Sequence, residues 1–139
     1  MQTVALARAL DGHITAVDLH EEYLQGLRSR AAEADVHAGI TAMRVDMADL
    51  PFDDGSFDLI WSEGAAYVMG VAAALTAWCR FLRPGGYLAL SELVWARPDP
   101  PAEVHDFFHT AYPAMTDVEG NLARFRDARY EVVAHVSLP

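Results

Sequence analysis

The sequence is poor in cysteine, in basic residues and in long apolar runs, and each scarcity closes off a class of protein. Cys79 is the only cysteine among 139 residues, so there is no internal disulfide framework and a reducing compartment suits the chain. Ten basic residues stand against 20 acidic ones, for a formal net charge of −10. Such a surface repels phosphate backbones and anionic lipid, which argues against nucleic-acid and membrane partners. No apolar run approaches the roughly 18 residues of a membrane-spanning helix. The first residues also lack the basic stretch and apolar core of an export signal. The expectation is a cytoplasmic protein. Of the six histidines, His105 and His109 stand four apart, but no set has ligand spacing, so no metal is expected.

What is present suits a folded α/β domain. Hydrophobic residues make up 53% of the chain and charged ones 22%, enough apolar material for a core, and the length fits one domain. Thr3 to Leu10 is helical by propensity. His13 to Val17 reads as a buried strand closed by Asp18. From Glu21 to Ala34 the period changes, with Leu24, Leu27, Ala31 and Ala34 on one helical face. Ile40 to Val45 makes a second strand ending at Asp46, and Phe57 to Ser62 a third that leaves through Glu63-Gly64. Val71, Leu75, Trp78 and Leu82 mark the next helix, stopped by Pro84-Gly85-Gly86, and Tyr87 to Leu93 is a fourth strand. Thr116 and Glu119 have capping-box spacing before a stripe of Val118, Leu122, Phe125 and Arg129. Glu131 to Leu138 reads as a final strand. Strands alternating with helices predict a mostly parallel sheet with helices on both faces.

In open α/β sheets, ligands bind beyond the carboxyl ends of the strands. Three strands here end in polar residues: Asp18, Asp46 and Ser62-Glu63. A carboxylate after the second strand of such a fold can accept both hydroxyls of a ribose, though Asp18 could equally cap the helix that starts near Glu21. Asp46 can accept from an adenine amine, with the Met47 thioether against the base, or it is simply a solvated strand-end acid. Phe107, Phe108, Tyr112 and Met115 would either line a pocket or cover a sheet edge. Cys79, beside Trp78, is expected to be a packing residue.

Three segments together resemble the class I S-adenosylmethionine-dependent methyltransferases: AVDLHEEYLQGL, VDMADLPFDDGSFDLIWSEGA and CRFLRPGGYLALSE. The run from Asp46 to Ile60 is the most specific, followed by Leu-Arg-Pro-Gly-Gly. The resemblance implies a Rossmann-like fold and S-adenosyl-L-methionine as cofactor. It implies that Asp18 with Leu19 meets the donor's ribose and that Asp46 with Met47 meets its adenine. Ser62 and Glu63 would lie near the methionine moiety or the acceptor. Family members carry a strand and a glycine-rich loop before the helix matching Thr3 to Leu10, and another strand after the one ending at Leu138. Residues 1–139 are therefore expected to be a single partial methyltransferase domain lacking its first and last strands, with residues 97–115 as an acceptor-lid insertion. The gap would be filled by a second copy of the chain or by another strand-completing partner.

The leading expectation is methyl transfer to a small-molecule acceptor. The protein then mainly positions two reactants, and Glu63, Tyr67 or His105 would take a proton where the acceptor has one to lose. A catalytically incompetent binding or partner module is the alternative. An NAD-dependent oxidoreductase is a third, against which the Asp46–Ile60 run and the Pro84–Gly86 turn both argue.

Overall fold

The computed structural model describes residues 2–138. They divide into two compact units, Met1–Pro51 and Phe52–Pro139.

In the first unit, helix α1 (Gln2–Ala9) precedes strand β1 (Ile14–Asp18), helix α2 (Glu21–Glu33) and strand β2 (Ile40–Arg44). β1 and β2 are parallel and in register, from Ile14 opposite Ile40 to Asp18 opposite Arg44. The helical stripe read from spacing packs as expected, because Leu24, Leu27 and Ala31 are buried. Ala34 ends the helix as its C-cap instead of extending the stripe.

In the second unit, β3 (Phe57–Glu63) pairs in parallel with β4 (Leu82–Ser91), and helix α3 (Val71–Cys79) connects them. Val71, Leu75 and Trp78 are buried along α3. Leu82 is not the next residue of that stripe, since it already opens β4. The Pro84-Gly85-Gly86 turn therefore lies inside a strand. Phe57 faces Leu82 while Leu59 faces Tyr87, so β4 spends extra residues on a bulge. Gly85 takes a φ of 77° there. A side chain on Gly86 would stand 2.9 Å from the Arg83 carbonyl and 3.1 Å from that of Asp58, a close approach that only glycine permits.

Helices α4 (Ala102–Ala111) and α5 (Val118–Asp127) follow. The cap of α5 is Asp117, whose Oδ1 accepts from the Gly120 N–H at 2.8 Å, and not Thr116 one residue earlier. Arg129 lies beyond α5 with a φ of 66°, which removes it from the expected stripe. The Tyr130 hydroxyl donates to the Leu75 carbonyl at 2.9 Å and ties this end to α3. Cys79 is exposed at the end of α3, in place of the packing position expected. Residues 130–138 form no strand, and Val133, Val136 and Leu138 are exposed. β-propensity alone does not make a strand, because each backbone group needs a neighbour to pair with.

Hydrogen bonding joins the strands into two separate two-stranded ladders, β1–β2 and β3–β4, among the described residues. No described helix is long and apolar enough to cross a membrane.

Candidate functional site

The parallel register of β1 and β2 puts their carboxyl ends at one edge, which is where Asp18 and Asp46 were expected. Asp18 closes β1 and is half-buried. Its Oδ1 accepts from the His20 N–H at 2.8 Å. This is a two-residue Asx turn and not a helix cap, since α2 begins after His20 and no side chain caps it. Asp46 lies two residues past β2 and repeats the device, with Oδ1 accepting from the Ala48 N–H at 2.9 Å. Each carboxylate is thus oriented through one oxygen, which leaves its second to meet a ligand. The loop between β1 and α2 is further held by Arg44, whose Nε donates to the Leu19 carbonyl at 3.0 Å. The Leu19 side chain is exposed and Met47 is half-buried.

The second unit carries its own strand-end group. Ser62 is buried and Glu63 exposed. Glu63 accepts from the Trp61 indole N–H at 2.6 Å through Oε1, so strand alternation sets both on one face. Gly64 turns the chain with a φ of 53° and donates its N–H to the Ser91 carbonyl at 2.9 Å. A one-turn 3-10 helix, Ala66–Val68, follows and carries Tyr67.

Reading the sequence missed Glu92. It follows β4 as Glu63 ends β3, so the same strand-end rule could have found it in the Ser91-Glu92 pair. Its Oε1 accepts from the Tyr67 N–H at 3.2 Å. Burial raises the Glu92 carboxyl above the ordinary carboxylate range, although the backbone N–H groups of Tyr67 and Ala66 and the Arg124 guanidinium pull it down. The Tyr67 ring lies 5.2 Å from that of Tyr112. Tyr112 is buried, and burial, then the Glu92 charge, raises its hydroxyl pKa against the opposing pull of Arg124. Tyr67 thus neighbours two titratable side chains, Glu92 and Tyr112.

His105 belongs to a different group. Its ring stacks on Trp95 at 5.9 Å and on His109 at 5.6 Å. Trp95, His105 and Met115 line an open cavity of about 460 Å³ with Arg97, Pro98 and Thr116. Of the four residues considered for a pocket, Met115 lines this cavity, Phe107 is exposed and Tyr112 is buried in the Glu92 group. Phe108 meets Trp95 edge-on at 5.9 Å. No metal-holding cluster of His, Cys, Asp and Glu occurs among the described residues.

A family model described as "Methyltransferase domain" matches residues 1–90. The chain is 28% identical over 136 residues to the 27-O-demethylrifamycin SV methyltransferase of Amycolatopsis mediterranei, covering 97% of this chain and 44% of that protein. The crystal structure of the [4+2]-cyclase SpnF matches with a TM-score of 0.79 at 22% identity, over 95% of this chain and 47% of that one. Geranyl diphosphate C-methyltransferase from Streptomyces coelicolor A3(2), in complex with Mg2+, geranyl diphosphate and S-adenosyl-L-homocysteine, matches with a TM-score of 0.76 at 19% identity. That match covers 91% of this chain and 48% of the other. These likenesses show a Rossmann-like fold, and the chain spans less than half the length of each relative named.

Proposed function

Because the chain belongs to the methyltransferase domain family, we propose that it transfers the methyl group of S-adenosyl-L-methionine to a small-molecule acceptor. The observation that carries this reading is the pair of strand-end carboxylates. Asp18 and Asp46 leave adjacent parallel strands at one edge, and each has one oxygen fixed by the amide two residues on. That geometry fits a donor offering two ribose hydroxyls and an adenine amine. Asp18 with Leu19 would hold the ribose, and Asp46 with Met47 the adenine. In the second unit, Ser62 and Glu63 would serve the methionine moiety or the acceptor.

The donor supplies an electrophilic sulfonium methyl. The residues' share is to bind, align and exclude water, because in-line attack needs few other groups. Where the acceptor loses a proton, Glu63, Tyr67 and His105 are the candidates to take it. Residues 97–115 would cover the acceptor as part of one methyltransferase domain. The open cavity lined by Trp95, His105 and Met115 supports an organic acceptor, and the net charge of −10 speaks against a nucleic acid. A cytoplasmic setting suits the lone cysteine. Each two-stranded ladder leaves edges free among the described residues, where a strand from a second copy or another chain would pair.

The test is isothermal titration of S-adenosylhomocysteine into the protein and two variants. Asp18→Ala should weaken binding by about 1 to 3 kcal/mol, the worth of charge-assisted hydrogen bonds. Asp46→Ala should cost less, since the amine gives one bond where the diol gives two. Unchanged affinity in Asp18→Ala removes that residue from the donor site.

A further inference from the structure

Buried side-chain oxygens almost always have a hydrogen-bond partner. Among the described residues that are not exposed, three such buried oxygens have none: Ser62 Oγ, Glu92 Oε2 and the Tyr112 hydroxyl. They are not scattered. Ser62 faces Leu90 across the β3–β4 ladder, and Glu92 lies two residues beyond Leu90, so strand alternation sets it on the face of Ser62. The Tyr67 backbone N–H fixes Glu92 through Oε1 at 3.2 Å, and the Tyr67 ring packs 5.2 Å from Tyr112. Glu92 and Arg124 both act on the Tyr112 hydroxyl, yet no hydrogen bond of ordinary geometry reaches it.

We propose that Glu92 and Tyr112, with the Tyr67 ring beside them, form a subsite that binds a hydroxyl group of the acceptor, an alcohol or a phenol. A ligand hydroxyl is both donor and acceptor. It donates to Glu92 Oε2 and accepts from Tyr112, which satisfies both groups at once. An ammonium leaves the Tyr112 proton without an acceptor, and an ionised carboxylate has no proton to give Glu92 Oε2. Arg124 donates to Asn121 Oδ1 at 2.8 Å and to the Ala114 carbonyl at 2.6 Å, and its charge also bears on Glu92 and Tyr112. Tyr67 is 43% exposed and offers a ring face to a flat or apolar body next to the hydroxyl. The inference rests on the methyltransferase reading for calling the bound molecule the acceptor.

The experiment uses two probes of matched shape, 1-naphthol and 1-methylnaphthalene, titrated into the protein by ligand-detected NMR. The protein should prefer 1-naphthol by about tenfold or more, the worth of a satisfied buried pair. Tyr112→Phe should bring the two affinities to within about twofold of each other. Glu92→Gln, which turns the accepting oxygen into an amide donor, should do the same, with circular dichroism melts confirming that both variants fold. Equal affinity for the probes, or a preference surviving in both variants, overturns the proposal and leaves bound water as a sufficient partner for these oxygens. S-adenosylhomocysteine titrated into the same samples separates the two readings. Its binding without a hydroxyl preference sinks the subsite alone, whereas a hydroxyl preference without its binding sinks the methyltransferase reading alone.

Discussion

Asp18, Asp46 and Glu92 are three acids at strand ends, and their surroundings give them different work. The first two are oriented by a single amide each and keep contact with solvent. Their position was legible because an acid just after an apolar strand needs only the strand's boundary to be placed. Glu92 obeys the same strand-end rule after β4, but its neighbours were not legible. Its half-buried place near the Tyr67 N–H and Tyr112, 25 and 20 residues away in sequence, is announced by no local pattern. That burial has a consequence for pH dependence. A carboxyl whose folded pKa is raised adds stability that is full below the ordinary carboxylate pKa and lost as pH rises through the folded value. Glu92→Gln keeps an acceptor for the Tyr67 N–H and carries no charge. Its melting temperature relative to the wild-type protein should therefore climb as pH passes through the Glu92 titration and level off above it. A pH-independent difference between the two melting curves would deny Glu92 the raised pKa.

At the scale of elements, periodicity found what packing needs and missed what turns decide. The buried faces of α2 and α3 follow from three- and four-residue spacing. β4 begins five residues earlier than its apolar run suggests, because the Arg-Pro-Gly-Gly segment bulges without leaving the ladder. An ion pair between Arg83 and Asp58 flanks that bulge. The α5 start was misplaced by one residue, since Thr116 and Asp117 are both good caps and only Asp117 reaches the Gly120 amide. The expected last strand failed for want of a partner, a condition that composition does not encode. The link from Tyr130 to α3 spans 55 residues and was invisible for the same reason. Tyr130→Phe should cost about 1 kcal/mol, the net worth of one hydrogen bond. Leu75→Ala, at a position with 0% exposure, should cost about 2 to 5 kcal/mol. Urea denaturation of both variants measures this, and equal losses would mean that Leu75 is not a core residue.

For the whole molecule, the family is carried by a constellation and not by any one residue. The acids Asp18 and Asp46, the Leu-Pro-Phe to Gly-Ser-Phe-Asp run and the Pro-Gly-Gly bulge each have ordinary structural explanations. Their order and spacing do not, and the family match over residues 1–90 covers all three. The fold also hosts other chemistry, as the likeness to a [4+2]-cyclase shows, so function must be argued from the site. The most direct measurement is amide chemical-shift mapping of the labelled protein with millimolar S-adenosylhomocysteine, a concentration that reveals even weak binding. The largest shifts should fall at Leu19 and His20, after β1, and at Met47 and Ala48, after β2. If those four amides stay in place, the carboxyl edge of β1 and β2 is not a site for this donor.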